Sequence, residues 1–342
     1  MKILVTGGTG YIGSHTVVEL QNAGFEPIII DNLSNSSIAV LDGIEKITGK
    51  RPVFEQIDCK DINDMDLLFT KHKDIVAIIH FAASKAVGES VIKPLMYYRN
   101  NLKSMLNIME LMIKHNVENL VFSSSCTIYG QPDILPVTEK AEIKPALSPY
   151  GNTKQICEEI INDTAHANPH INAILLRYFN PIGAHESSEI GELPIGVPQN
   201  LIPYVTQTAA GIRKQLQVFG NDYNTPDGSC IRDYINVTDL AKAHVAAVKR
   251  LLDKKGKSAV EAFNVGTGRG TTVLEVISLF EKVTGVKLNY KIVGRREGDI
   301  EKVWADASLA NNELGWRAEK SMEDTLLSAW KWEQHLKQTK TR

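Results

Sequence analysis

The chain has 342 residues, 43% of them hydrophobic and 23% charged, with a formal net charge of −2. This composition reads as a soluble globular protein of one large or two ordinary domains. It carries no global pull toward nucleic acid or anionic membrane, and no apolar run approaches the ~18 residues that a bilayer span requires.

The first half alternates short apolar runs with longer helical patterns. KILVTG (2–7), EPIIID (26–31), PVFEQID (52–58), IVAIIHFAA (75–83), NLVFSSS (119–125) and NAILLRYFN (172–180) predict strands. Several show little polar alternation, as expected of a parallel sheet covered on both faces. IGSHTVVELQNAG (12–24), with Gly24 as its stop, and NLKSMLNIMELMIKH (101–115) predict helices between them. The expected fold class is α/β, a doubly wound, Rossmann-like parallel sheet over residues 1–180.

After Asn180 the rhythm breaks. Residues 181–200 are rich in Gly and Pro and predict loop. A smaller α+β portion is expected over 181–342, partly interleaved with the first. Within it VTDLAKAHVAAVKRLL (237–252) is amphipathic, and residues of about 235–260 are expected to pack back on the sheet. The basic tail from Lys337 to Arg342 reads as a frayed terminus.

The four cysteines, Cys59, Cys126, Cys157 and Cys230, form no CxxC pair, which predicts a reduced, cytoplasmic protein. Met1 leads at once into Ile3-Leu4-Val5, without a signal-peptide layout. His166 and His170 have HxxxH spacing, but Pro169 interrupts any helix there, so no metal site is expected.

Between the first strand and first helix lies GGTGYIG, containing Gly7, Gly10 and Gly13. Glycines at this spacing allow a tight turn and close approach to a pyrophosphate seated on the helix N-terminus. Asp31 ends the next strand, where a carboxylate accepts hydrogen bonds from a ribose 2′-hydroxyl and repels a 2′-phosphate. NAD is therefore expected over NADP. Asp58 closes the third strand, as an adenine-side contact or a helix cap.

SSSCTIYG (123–130) follows the fifth strand, at the edge where open parallel sheets bind ligands. Ser125 is then either a site hydroxyl or a turn former. SPYGNTK (148–154) places Tyr150 and Lys154 one helical turn apart behind a Ser148 N-cap and Pro149. An ammonium beside a phenol lowers its pKa from about 10, which makes a tyrosine base usable near neutral pH. The alternative is a chance surface pair.

Glycine loop, serine after the fifth strand and YxxxK together resemble the extended short-chain dehydrogenase/reductase family, and within it the nucleotide-sugar epimerases. TGGTGYIGSHT, FAASKAVGES, SPYGNTK, LRYFNPIGAH, FGNDY, RDYINVTDLA and RREGD carry the resemblance from residue 6 to about 310. It implies that Tyr150 is the acid/base, Lys154 its electrostatic partner, and Ser125 the binder of the reacting hydroxyl. It implies that Gly7, Gly10, Tyr11, Ile12, Gly13, Asp31, Asn32, Asn35, Ser36, Asp58 and Cys59 line one half of NAD. Phe81, Ala82, Ala83, Lys85, Asn100, Ser123 and Phe179 line the rest. Asn180, Asn200, Leu201, Val218, Phe219, Arg232, Tyr234, Arg296 and Asp299 hold a UDP-hexose whose C4 is inverted through a 4-keto intermediate.

Arginine forks suit a diphosphate. The alternative is local pairing, Arg232 with Asp233 and Arg296 with Glu297. Phe219 alone reads more readily as core than as a uracil platform. Val303 borders the sugar, where a small residue leaves room for an N-acetyl group; otherwise it is a buried strand residue. The resemblance also implies a homodimer through helices of about 93–115 and 150–167. A dehydratase of the same family needs an acid and a base just after the serine position, where this chain has Cys126 and Thr127. A non-catalytic NAD sensor would not need Ser125, Tyr150 and Lys154 together.

Overall fold

The computed structural model describes residues 1–296 and 299–340. The first stretch runs β1 (Lys2–Thr6), α1 (Tyr11–Asn22), β2 (Glu26–Ile30), α2 (Val40–Thr48), β3 (Val53–Glu55), α3 (Ile62–Lys71), β4 (Ile75–His80), α4 (Val87–Ile92), α5 (Pro94–His115) and β5 (Asn119–Ser125). Then come α6 (Pro149–Ala167), β6 (Asn172–Tyr178), β7 (Asn180–Ile182), α7 (Leu201–Ala209), β8 (Leu216–Phe219), β9 (Ile231–Arg232) and β10 (Tyr234–Asn236). The rest is α8 (Val237–Leu252), β11 (Val260–Val265), β12 (Thr271–Thr272), α9 (Val273–Thr284), β13 (Tyr290–Val293), β14 (Lys302–Val303) and α10 (Met322–Lys340).

Seven strands form one sheet in the order β11-β6-β5-β4-β1-β2-β3, every neighbouring pair parallel. Strand periodicity explains why both faces are apolar. Ile3, Val5, Ile29, Ile79, Val121, Ile174 and Leu176 point to one side and pack with α1, α2 and α8 residues such as Val17, Ile44 and Leu240. Leu4, Ile28, Ile78, Leu120, Phe122 and Leu175 point to the other and meet Met65, Met105, Ile108 and Ile161 of α3, α5 and α6. The expected doubly wound fold is the observed one.

Among the differences from expectation, two concern strand ends and one a whole strand. The third strand is only Val53–Glu55, because it lies at the sheet edge and Asp58 turns to accept the Lys60 amide at 2.9 Å. The sixth run divides at Phe179: β6 stays in the main sheet, while Asn180–Ile182 pairs with β10 in a separate two-stranded sheet. β11 was not foreseen. Its run VEAFNV carries the polar residues Glu261 and Asn264, which interrupt the apolar pattern. Glu261 binds Arg250 and Asn264 accepts from Tyr129, so both polar groups are satisfied.

α8, with the bounds the amphipathic pattern gives, packs on α1. The later chain adds a core of its own around Val205, Leu216, Tyr234, Ile277, Phe280 and Leu326. Among the described residues no helix is long and apolar enough to cross a membrane, and no cluster of His, Cys, Asp and Glu could hold a metal.

Three histidines sit inside this framework. His15 bonds the Tyr11 carbonyl, His244 the Leu240 carbonyl, and His80 the Thr6 hydroxyl. Burial pushes their pKa values down to about 3, about 4 and about 3 respectively. They are neutral in the fold but charge near 6.5 when unfolded. The unfolded state thus binds more protons below that pH. Stability is intact above 6.5 and falls as pH drops toward 4, by roughly 4 kcal/mol per pH unit if all three contribute. Denaturant unfolding at pH 7, 6 and 5 should show this decline, and replacing His244 by an apolar residue should flatten it.

Candidate active site

The sheet order reverses between β1 and β4, and the loops beyond these strands meet closely. A Cβ on Gly7, whose φ is +69°, would lie 2.9 Å from the Ala82 nitrogen. One on Gly13 would lie 2.3 Å from the Gly7 carbonyl. These two glycines let α1 start tight against the strand ends. Gly10 is the N-cap of α1 and supplies no side-chain acceptor. The first-turn amides of Tyr11, Ile12 and Gly13 are thereby presented to an anion.

Asp31 stands at the end of β2. Its Oδ1 accepts from the Leu33 amide at 2.9 Å and the Ser36 hydroxyl at 3.0 Å, and Ser36 meets Thr9 of the glycine loop at 2.8 Å. Asn32 donates to Asp58 at 3.1 Å. Cys59 is buried beside these carboxylates; burial first, then Asp58 and Asp31, push its thiol up to about 12. Asn35 is exposed. The expected adenosine-side residues thus gather at the ends of β1–β3.

On the other side of the switch point, Phe81 and Ala82 are tied to Thr6 through their amides. Ala83 follows in the same loop. Asn100 donates to Ser84 at 3.2 Å, and Lys85 reaches Glu192 at 3.5 Å. Tyr11 donates to the Gly183 carbonyl at 2.7 Å. Phe179 is buried between the main sheet and β7.

Ser148 caps α6 by accepting the Gly151 amide at 3.1 Å, as its sequence position predicts. Tyr150 and Lys154 then lie on the buried face of α6, so they are no surface pair. Lys154 Nζ donates to the Ser123 carbonyl at 2.6 Å and sits 4.7 Å from the Phe122 ring centre. Burial lowers its pKa to about 8, against the opposing influence of Cys157 and Glu158. Ser125 Oγ accepts from the Thr127 amide and hydroxyl, and Ser125 favours the charged form of the Tyr150 phenol.

The phenol of Tyr150 does not behave as its sequence context suggests. Burial raises its pKa well above the ordinary value, and Tyr178 adds to this; Ser125 opposes them. Lys154 Nζ is 5.9 Å from the Tyr150 ring centre. The protein's own cation therefore does not offset the cost of charging a phenolate in a dry site. A phenolate here needs a further positive charge, which an oxidised nicotinamide carries. That requirement, with the glycine cradle and the uncapped helix end, fits NAD.

The second half of the site is built on β9, β10 and β14. Arg232 lies in the middle strand of β12-β9-β14, opposite Val303. Its guanidinium bonds the Ile231 carbonyl at 2.8 Å and approaches Asp299 at 3.8 Å. Asp299 also takes Arg296 at 2.7 Å. One carboxylate thus draws two arginines together. Arg232 does not pair with Asp233, which instead accepts from Thr267, Gly268 and Ala305. Glu297 lies outside the described residues.

Arg296 stacks 5.3 Å from the centre of Phe219, whose neighbour Val218 is core. Asn200 is the N-cap of α7 and donates to Glu192 at 2.6 Å; Leu201 is partly buried behind it. Asn180 and Tyr234 face each other across β7 and β10. Burial pushes the Tyr234 phenol up to about 12, with Arg232 opposing. Val303 is buried against Ile128, Tyr129 and Phe179, beside Cys126.

Sequence reasoning missed Glu192, which joins Lys85 to Asn200, and Tyr178, which meets Ser123 at 2.5 Å. Tyr178 was in a strand run and its hydroxyl gave no signal. It also missed Glu158, although Glu158 repeats the spacing of Tyr150 and Lys154.

Comparison with known proteins agrees with this geometry. A family model described as GDP-mannose 4,6 dehydratase matches residues 4–328. A UDP-glucose 4-epimerase of Dictyostelium discoideum is 49% identical over 332 residues, covering 97% of this chain and 95% of the relative. The crystal structure of UDP-glucose 4-epimerase from Stenotrophomonas maltophila, with bound NAD and formylated UDP-arabinopyranose, superposes with a TM-score of 0.95 at 47% identity, covering 99% of both chains. That from Bifidobacterium longum, in complex with NAD+ and UDP, gives 0.94 at 47% identity and 98% coverage of both.

This chain belongs to the UDP-glucose 4-epimerase family. Membership of the epimerases rather than the dehydratases accords with Cys126 and Thr127 after Ser125, neither of which supplies a carboxylate for elimination.

Proposed function

We propose that the protein interconverts UDP-glucose and UDP-galactose by inverting C4 of the hexose, with a tightly held NAD. The observation that carries this is the convergence of Tyr150, Ser125 and Lys154 at the sheet edge with the Arg232–Asp299–Arg296 group across from it. NAD binds to the side made by residues 1–180, and the UDP-sugar mainly to residues 181–342, of which α8 and β11 are built onto the first part.

Gly7, Gly10 and Gly13 admit the pyrophosphate, and the α1 amides of Tyr11 and Ile12 meet its charge. Asp31, with Asn32, Asn35, Ser36, Asp58 and Cys59 nearby, selects the adenosine end. Phe81, Ala82, Ala83, Lys85, Asn100, Ser123 and Phe179 flank the nicotinamide end. Arg232 and Arg296 share one carboxylate, so the group keeps a net positive charge that suits a diphosphate. Phe219 and Val218 form an apolar wall for the uracil, and Asn180, Asn200, Leu201 and Tyr234 border the sugar.

Bound NAD supplies the acceptor and donor for the hydrogen on C4. Tyr150 accepts the proton of the 4-hydroxyl and later returns it. Ser125 orients that hydroxyl by hydrogen bonding. Lys154, fixed on the Ser123 carbonyl, keeps a positive charge near the phenolate. Because the sugar is oxidised and reduced again in the same site, no cofactor is consumed. We infer a homodimer packed through α5 and α6, and the exposed Leu95 and Leu106 of α5, at 74% and 45% exposure, support the part taken by α5.

Pure protein incubated with UDP-galactose and no added cofactor should form UDP-glucose without net NADH. Strict dependence on added NAD, with NADH accumulating, would identify a dehydrogenase instead. Tyr150→Phe should lower kcat by at least about 10²-fold while NAD content survives. The charge on Lys154, whose pKa is depressed to about 8, is lost as pH rises, so kcat should decline through about pH 8 rather than near 10. A pH profile of kcat flat to pH 10 would contradict that role.

Sedimentation analysis should give a dimer, converted to monomer by Leu95→Glu. A monomeric wild type would remove the dimer reading.

With a valine rather than a larger side chain at position 303 beside the sugar, UDP-N-acetylglucosamine should also be epimerised. Overfilling a site by a few atoms costs about 1–3 kcal/mol, a rate factor of roughly 5 to 150. Val303→Tyr should therefore slow the N-acetylated substrate by such a factor and spare UDP-glucose. Equal effects on both, or no turnover of the N-acetyl sugar by the wild type, would show that Val303 does not gate.

A further inference from the structure

Behind the site lies a buried polar network that the proposed chemistry does not use. Glu158 continues the stripe of Tyr150 and Lys154 along α6, one turn further on. Its carboxylate receives Arg177 of β6 in a two-point contact, Nε at 3.1 Å and Nη2 at 2.7 Å. The two side chains are 6% and 8% exposed, so the pair is fully inside. The Ser124 hydroxyl, one residue before Ser125, donates to the same carboxylate at 2.5 Å. Arg177 Nη1 continues to the Tyr129 hydroxyl at 3.1 Å and the Glu139 carbonyl at 3.2 Å. Tyr129 in turn donates to Asn264 of β11 at 2.7 Å.

These contacts join five pieces of chain. They are α6, which carries Tyr150 and Lys154; the end of β5, which carries Ser125; β6, which carries Tyr178; the segment after β5, through Tyr129 and Glu139; and β11, through Asn264. A buried ion pair is a poor source of stability, since desolvating both charges offsets their attraction. It is a good source of a single geometry, because neither partner has an alternative place to go. A helix held to a sheet by apolar contacts alone can slide or rotate slightly at little cost.

We propose that Glu158 and Arg177 are positioning residues for the epimerase reaction, fixing α6 against β5 so that Tyr150 and Lys154 meet Ser125 at reacting distance. This rests on the function proposed above. Glu158 also faces Lys154 as one of the charges of its surroundings. The others are Cys157 on α6, His80 on β4, Tyr150 itself, Arg177 beyond Glu158, and Tyr178 through Ser123. Of these groups His80 is neutral and Arg177 is occupied by Glu158.

The test uses the full-length, NAD-loaded protein, with wild type, Glu158→Gln and Ser124→Ala compared. Glu158→Gln keeps the shape and removes the charge; Ser124→Ala removes one tether and leaves the ion pair. Displacement by about 1 Å can cost as much as 10²-fold in rate. Glu158→Gln is expected to lower kcat by at least ~10-fold, with KM for UDP-galactose within about threefold of wild type. Its high-pH limb should move to lower pH, as Lys154 loses a supporting negative charge. The carbon-13 shift of the Lys154 side chain, followed against pH and assigned with Lys154→Arg, should show the same movement without any turnover. Ser124→Ala should lower kcat by a smaller factor and leave the Lys154 midpoint in place.

A Glu158→Gln protein that melts earlier but keeps wild-type kcat and pH profile when folded would overturn the proposal and leave a purely structural pair. If Glu158→Gln does not fold, Ser124→Ala decides, and wild-type kcat in that variant overturns it. If the wild type lacks epimerase activity, the function proposed above fails. The Lys154 titration in Glu158→Gln then still separates a tuned site from an inert one.

Discussion

A parallel sheet buried on both faces leaves one place for chemistry. Alternate residues of β1, β2, β4, β5 and β6 are committed to one or other helical layer, and any polar side chain among them must find a partner indoors. Functional groups are therefore pushed to the carboxyl edge, where strands end and backbone turns away. Gly7, Asp31, Phe81, Ser125 and Phe179 are each the residue that ends a sheet strand or falls just beyond it. The two strands flanking the order reversal diverge there, which opens a crevice without any insertion. Tyr150 and Lys154 reach this edge by another route, because the N-terminus of α6 starts beside it, behind the Ser148 cap.

Burial is the dominant electrostatic fact at that edge. It raises the phenol of Tyr150 and lowers the ammonium of Lys154, so both groups are displaced toward their neutral forms. A tyrosine surrounded only by this chain would be a poor base. The same burial makes it sensitive to any cation placed close by, since Coulomb forces grow as water is excluded. Acid/base readiness thus becomes conditional on a cofactor in its oxidised form. Exclusion of water also protects a keto sugar while it is held. The cost is that the fold must hold a lysine indoors, and the Ser123 carbonyl and the Phe122 ring are what receive it.

The sheet was readable from sequence because its signals are local. Apolar runs, a glycine turn and a capped helix start each occupy fewer than a dozen residues, and six strands of the seven in the main sheet follow from them. Edges were harder. β3 is shorter than its apolar run because an edge strand is held from one side only. β11 was missed because Glu261 and Asn264 interrupt its pattern, and their partners Arg250 and Tyr129 are 11 and 135 residues away in sequence. The site divides in the same way. Residues within a motif, such as Tyr150 with Lys154, announce themselves by spacing. The pairing of Arg232 with Arg296 through Asp299 does not, because strand pairing of β9 and β14 brings them together. The shift of the Tyr150 phenol could not be read at all, since spacing shows the lysine and not the burial.

The two halves of the site differ in how they hold charge, and the difference follows from exposure. Around Tyr150 every ionisable group is indoors, and each hydrogen bond has a fixed partner. Around Arg296, which is 53% exposed at its side chain, water screens the charges and the ion pair with Asp299 is worth little by itself. A weak pair is suited to exchange: in the role proposed above, Arg296 can leave Asp299 for a diphosphate at small cost and return to it afterwards. A strong buried pair in that place would compete with the ligand. In the function proposed above, rigid geometry is concentrated where bonds would change, and replaceable contacts where the nucleotide would be gripped and released, so one chain could orient a hydroxyl closely and still let its product go.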